Sequence, residues 1–462
     1  YYAGLGPRAD EPTLATDRSL FTYYGPDETA WANILRGWDL TWDQWNSMSE
    51  ADRADWSATH KWDGSKVATT DWTQFSDRIG VTQEHSLSAS GGNENFNGYV
   101  SFGYLDQQGV NLGQDYERYT IRASFDAKPV KWFRMGGAVN TRYSVQELAI
   151  NNSDYLHSKA RRIFTYALPY DESGNIIDFP GGDYTRITTI VGELGNSATS
   201  NQSYQISASI YGELDFGQIW EPLKGLTFRT NFGPQFSLYQ HNMYQSAQSV
   251  NKKYEGTDYV ESQGRKRFSW LIDNILSYSR EFGDHSFNAT LLQEAWARED
   301  LMMYNMNGTG VALGMTQTWW GLNTSTVGTL NTTKDALYFN DLTESQMASY
   351  MARLNYSWKN RYIATVSYRY DGASQLGEGH KWAGFPSVAL GWRLDQENFL
   401  KDVSWIDQLK LRVGWGMTGN YSVGVYSTKP TMDTVTNVHK GEGSVNYYTP
   451  GALANQALGW ET

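Results

Sequence analysis

The chain has 462 residues, a formal net charge of −12, 15% aromatic residues, 44 glycines and no cysteine, which is ample length for one or more large folded units. Fifty acidic against thirty-eight basic residues leave no basic footprint for phosphates, which excludes a nucleic-acid partner as the working reading, and the lack of cysteine removes disulfides and cysteine-built metal sites. No run approaches eighteen consecutive apolar residues, so no membrane-crossing helix is expected, whereas a β-barrel passes that test because its strands need only about 9–11 residues of alternating polarity.

Taken in chain order, Tyr1-Tyr2-Ala3-Gly4 has neither a charged n-region nor an apolar h-region, so no signal peptide is visible. Residues 1–83 are rich in Trp, Asp and Ala and read as a barrel segment carrying an extracellular loop, with a helix near 47–57 announced by Ser49-Glu50-Ala51-Asp52. Strict alternation begins after that. Tyr119, Ile121, Ala123 and Phe125 stand against Arg118, Thr120, Arg122 and Ser124, and Tyr204, Ile206, Ala208 and Ile210 against Gln205, Ser207 and Ser209. Successive side chains of a strand point to opposite faces, so each such run has one apolar and one polar face.

The same template places strands near 84–91, 96–105, 118–125, 131–142, 203–216, 226–232, 266–280, 285–297, 348–357, 362–369, 387–394 and 409–416, about twelve in all. Short links fall near 91–95, 127–130, 217–223, 280–285 and 359–361, with a longer one at 395–407. Long ones fall near 106–116, 143–202, 239–265, 298–345, 371–386 and from 419 onward. Alternation of short and long connections is the pattern of an up-and-down transmembrane β-barrel, and aromatics such as Trp358 and Tyr362 near short turns, or Tyr104, Tyr119 and Tyr370 near long loops, fit interfacial belts. The fold class is therefore all-β, a transmembrane antiparallel up-and-down barrel. Residues 84–420 form its strands and extracellular loops, and 421–462 a further loop and the start of another strand.

Several segments resemble the barrel of SusC-like (SusC/RagA) TonB-dependent transporters of Bacteroidetes. Tyr99-Val100-Ser101-Phe102-Gly103-Tyr104 is one; more specific are Ser367-Tyr368-Arg369-Tyr370-Asp371-Gly372-Ala373-Ser374, Phe385-Pro386-Ser387-Val388-Ala389-Leu390-Gly391-Trp392-Arg393 and Leu409-Lys410-Leu411-Arg412-Val413-Gly414-Trp415-Gly416 in order. In these motifs Asp371-Gly372 reads as the start of a loop, Pro386 as the start of a strand, and Gly414 and Gly416 as positions where bulk would crowd a lumen. The resemblance implies a barrel of about 22 strands, of which the chain supplies about twelve. It also implies an N-terminal plug, which this chain does not contain, and an internal barrel portion of a longer protein in the cell outer membrane. The implied activity is TonB-dependent import of glycans or peptides with a SusD-like surface lipoprotein, with the TonB complex engaged through the plug.

No cofactor is expected, and no catalytic or metal residue stands out. The letters Gly414-Trp415-Gly416-Met417-Thr418-Gly419 mimic a dinucleotide fingerprint but lie within a strand and its rim. Asp171-Glu172-Ser173-Gly174-Asn175 with Asp178 offers oxygen ligands, yet lacks calcium-loop spacing and reads as a polar hairpin tip. The seven histidines are scattered. Residues expected to touch ligand or partner are the loop aromatics Trp319, Trp320, Trp382, Tyr447 and Tyr448 and the polar-face arginines Arg118 and Arg369. Two rivals stay open: an outer-membrane hydrolase closed within this chain, and a soluble propeller or solenoid, which would need a repeat of about 40–50 residues.

Overall fold

A computed structural model of the chain describes residues 28–149, 155–163, 165–180, 188–249, 258–309, 341–400, 403, 405–440 and 443–461. The first described elements are helical: α1 (Glu28–Leu35), α2 (Trp42–Ser47) and α3 (Glu50–Thr59). Both α2 and α3 begin with reciprocal caps, Thr41 with Gln44 and Ser49 with Asp52, each satisfying two amides that a helix start leaves open. The expected helix near 47–57 is thus present, shifted toward its C-terminus. Ile34, Leu35, Trp38, Leu40 and Trp45 form a small apolar core beneath these helices, with Trp42, Trp56, Trp62 and Tyr166 packed against it.

Tyr166 belongs to the connection between β4 and β5 defined below, so this helical unit is built from two distant stretches. Asn33, 1% exposed, ties them: its amide donates to the carbonyls of Ala68 (2.7 Å) and Tyr166 (2.8 Å) and accepts from Ala68 N (3.1 Å). A second core joins Trp72 to Ala149, Leu156, Ala160, Ile163, Ala167, Ile190 and Val191, with helix α4 (Tyr155–Ala160) contributing Leu156 and Ala160. Short helix α5 (Glu193–Asn196) then leads into the sheet.

That sheet has twelve antiparallel strands in sequence order. They are β1 (Thr82–Gly92), β2 (Phe96–Gln108), β3 (Asp115–Val130), β4 (Phe133–Leu148), β5 (Ser197–Asp215) and β6 (Leu226–Gln245). The row continues with β7 (Tyr259–Phe282), β8 (His285–Thr309), β9 (Asp341–Trp358), β10 (Tyr362–Ala373), β11 (Trp382–Arg393) and β12 (Lys410–Gly416). Each strand read from alternation is there. Most are longer than read, up to 25 residues in β8. A separate hairpin, β13 (Met432–Lys440) and β14 (Gly443–Pro450), lies in the stretch taken for a loop.

One sheet edge carries tight links. At 359–361, Lys359 and Asn360 both adopt left-handed φ (51° and 52°), the turn type whose twist matches paired strands, and Arg361 N closes it on Trp358 O at 2.9 Å. The opposite edge carries 149–196 and 310–340. The expected strict alternation of length is looser than read. The link between β2 and β3 spans only 109–114, whereas 394–409 is long for the turn edge. Two motif readings change as well. Asp371 and Gly372 lie inside β10, and Gly372 has no positive φ; it is paired with Trp382, whose indole occupies the space a Cβ would need. Pro386 lies inside β11, its carbonyl accepting from Met417 N at 3.0 Å where the pairing with β12 ends, so the N–H it lacks falls at the end of that ladder and not in its middle. Crowding is present at Gly416, where a Cβ would stand 3.0 Å from that of Ser387, and not at Gly414.

Candidate functional site

The register divides the sheet into two chemically different faces. On one, Ile210, Phe232, Leu276, Leu291, Leu354 and Val366 project outward, and all but Leu276 are at least 40% exposed. An apolar surface of this extent is untenable in water and natural in lipid. Aromatic stacks bound it at two heights. Toward the long connections His85, Tyr104, Tyr119, Tyr143 and Tyr204 contact in succession across β1 to β5, with neighbouring centroids 4.5–6.3 Å apart. Toward the tight turns the series is His285, Tyr356, Trp358, Tyr362 and Trp392. Rings at these levels suit the two interfaces of a bilayer.

The other face is polar and heavily paired. Near the turn edge Asp126 accepts from Arg134 Nε (3.0 Å) and from the Tyr211 hydroxyl, while the Arg229 guanidinium lies 3.8 Å over the Tyr211 ring. At mid-height one lateral row of register partners runs Asn231, Asp273, Glu294, Ser349 and Asp371 over β6 to β10. Arg369 spans part of it, donating from Nη2 to Glu294 (2.7 Å) and from Nε to Asp371 (2.7 and 3.0 Å). Higher, toward the long connections, Asp300 on β8 receives Arg265 Nε (2.5 Å), Arg267 Nε and Nη2 (3.0 and 2.8 Å) and Arg298 Nη2 (2.9 Å).

These positions sort the residues singled out from sequence. Arg369 is on the polar face within a dense ion network. Arg118 is on the same face but on β3, where its ion-pair partner among the described residues is Glu84 at 3.6 Å, so the structure does not bring the two arginines together. Trp382, read as a loop residue, is the first residue of β11 and stacks on Tyr370 (5.0 Å) and Tyr350 (6.2 Å) on the apolar face, as part of the upper aromatic belt. Tyr448 sits on β14 and is 69% exposed, beside Tyr447 in the same strand. Trp319 and Trp320 lie outside the described residues. The Asp171 segment is a hairpin tip: its carboxylate accepts from Asn175 Nδ2 (3.0 Å), Asn175 N (2.8 Å) and Ser173 N (2.9 Å), which holds it below the ordinary carboxylate range, and Gly174 takes φ 84°. Among the described residues no three His, Asp or Glu converge to hold a metal ion.

Alternation does not point to the cluster on Asp300, because it stops at 266 and 297. The signal was nonetheless present: Arg265 and Arg267 are two apart, as are Arg298 and Asp300, which is strand spacing for a common face.

Compared with known proteins, the chain matches no family model. It is 28% identical to the TonB-dependent receptor P39 of Formosa agariphila over 396 residues, covering 83% of this chain and 35% of that protein. It is 26% identical to the TonB-dependent receptor SusC of Bacteroides thetaiotaomicron over 426 residues, covering 86% of this chain and 40% of that one. The chain therefore spans well under half the length of these curated relatives. Among solved structures it superposes on the RagAB peptide transporter with a TM-score of 0.68 at 19% identity, and on the importer's open-open state with 0.69 at 20%, covering 85% of this chain and 42% of the other in each case. The twelve-stranded sheet thus shares its fold with part of the RagAB transporter structures. Over most of its length the chain is similar in sequence to SusC-like receptors.

Proposed function

We propose that this chain forms part of the wall of an outer-membrane, TonB-dependent importer of oligomeric nutrients, glycans or peptides, and is not an enzyme. The carrying observation is the two-faced sheet: an apolar face bounded by aromatic belts, backed by a polar face of paired charges, as a lipid-embedded wall around a hydrated lumen requires. The clusters described on the polar face are ion pairs between arginines and carboxylates. The hydrolase reading needs closure within this chain. Among the described residues β1 and β12 are the outer strands of the sheet, which leaves that reading without support.

In this reading the helical unit on the 149–196 connection and the 310–340 connection face outward and dock a SusD-like lipoprotein, while TonB acts through a plug in the lumen. Connections of that size exceed what joining two strands demands. By sequence, Trp319, Trp320, Tyr447 and Tyr448 are aromatic residues of the outward connections, a residue type on which sugars or peptide side chains stack. Similarity to SusC and to a peptide transporter favours bulky oligomers over iron chelates. The test is uptake in a deletion strain and its complement, on defined glycans and peptides, with and without TonB. TonB-dependent loss of one oligomer class is expected. Normal use of all of them with a specific loss of siderophore uptake would overturn the proposal.

A further inference from the structure

We infer that Arg265, Arg267 and Arg298 form an oxyanion site on the lumen wall that binds a carboxylate group carried by the cargo. The inference rests on the importer reading above and adds a charge requirement to it. The three guanidiniums surround one carboxylate, Asp300, which is only 5% exposed, while their own side chains remain 38–47% exposed. Asp300 therefore works as a buried post. Its two oxygens take one or two hydrogen bonds from each arginine and fix the three planes, leaving most of their donors turned away from it. Among the described residues no other acceptor engages those donors. Three positive charges against one negative leave an excess that the wall itself does not neutralise.

Position makes the cluster reachable. The opposite side of the same two strands becomes charged at this height, where Lys266 and Glu299 pair at 3.6 Å, so the strands have left the hydrocarbon there. On the lumen side Asp300 stands six residues beyond Glu294, roughly 20 Å of strand toward the outward connections. Cargo entering from outside meets this arginine group before it reaches the acidic row at Asp273, Glu294 and Asp371. Planar guanidiniums already held by Asp300 lose little freedom on binding, and their fork geometry matches carboxylate oxygens.

The experiment uses the native polypeptide purified in detergent and two probe pairs: trigalacturonate with its methyl ester, and a tripeptide with its C-terminal amide. Binding is followed by calorimetry for the unaltered protein, for R267Q and R298Q, and for the triple Arg→Gln variant. The charged member of at least one pair should bind tenfold or more tighter than its neutral partner. That advantage should fall in each single variant and vanish in the triple, with neutral-probe binding unchanged as the control for folding. The pair that shows it identifies whether the anion is borne by a sugar or a peptide. An advantage absent from both pairs, or surviving in the triple variant, overturns the oxyanion site and leaves the importer reading intact. Failure of all four probes to bind overturns the oxyanion site as well, while the importer reading is decided by the uptake test.

Discussion

Gly372 and Trp382 are register partners across β10 and β11, and the indole of Trp382 lies flat over the spot where a side chain at 372 would stand. The ring is thereby held against Tyr370 and Tyr350 at the upper aromatic belt. Gly372→Val should expel the indole and cost roughly 1–3 kcal/mol as an overpacked contact. A lowered urea midpoint of the barrel together with a red-shifted Trp emission is the expected outcome. An unchanged midpoint would mean that the ring has room elsewhere.

Ile210 and Ser209 are adjacent on β5 and face opposite ways, Ile210 in a row with Gly137 and Phe232, Ser209 beside Ala138. A charge on the lipid face near the midplane costs roughly 2–4 kcal/mol, and one on the lumen face far less. Ile210→Lys is expected to reduce folding into bilayers while Ser209→Lys folds nearly as well as the native protein. The reverse ranking in a vesicle-folding titration would mean that the faces are exchanged.

The strand set was legible because one face must meet lipid and the other water, which writes alternation into runs such as 203–216. What alternation could not reveal is where strands end, since above the lipid both faces are polar: Arg265 and Glu299 look like loop residues yet stand in β7 and β8. The docking of residues 28–77 on the 149–196 connection was equally hidden. It depends on single long-range pairings, such as Asn33 to Tyr166 and His157 Nδ1 to Asp77 at 2.9 Å, which carry no periodicity. Of the residues singled out beforehand, Trp382 was misplaced because an aromatic opening a strand is indistinguishable in sequence from one ending a loop.

Asn33 gives that docking a direct test. Its amide makes three bonds to backbone groups that Asn33→Ala would leave unpartnered beneath the helical unit. Each buried orphan costs roughly 1–3 kcal/mol. Limited proteolysis should release fragments from 28–77 in the variant well before the strands are cut. Equal protection in both proteins would show that the two apolar cores suffice without Asn33.

Lys159 on α4 is buried beside Glu193 and donates to Thr188 Oγ1 at 2.7 Å. Burial lowers its pKa from 10.5 to about 8, against the opposing pull of Glu193. Because the folded value is the lower one, the unfolded segment binds more protons between about 8 and 10.5, so stability rises with pH across that window and the penalty is full below it. Hydrogen exchange of 155–163 should slow, relative to Lys159→Met, as pH goes from 8 to 10. Identical pH profiles would rule out Lys159 as the cause.

Arg369 and Arg118 are both lumen-face arginines from the same sequence reading, and their surroundings predict different costs of removal. Arg369 makes three hydrogen bonds to Glu294 and Asp371, whose side chains are 19% and 11% exposed. Without it the row Asp273, Glu294, Asp371 keeps its carboxylates and loses the guanidinium that spans two of them, so Arg369→Ala should cost roughly 2–4 kcal/mol. Among the described residues Arg118 has one ion-pair partner, Glu84, at 3.6 Å and 68% exposed, and a pair that open to solvent is worth at most about 1 kcal/mol. Raising salt should narrow any Arg118 effect and leave most of the Arg369 effect, since nearly buried pairs are poorly screened. Denaturant midpoints of the two variants at low and high salt decide it. Equal midpoints would mean that the network around Arg369 is solvated in the folded barrel and that its acidic row is stabilised from another element in the lumen.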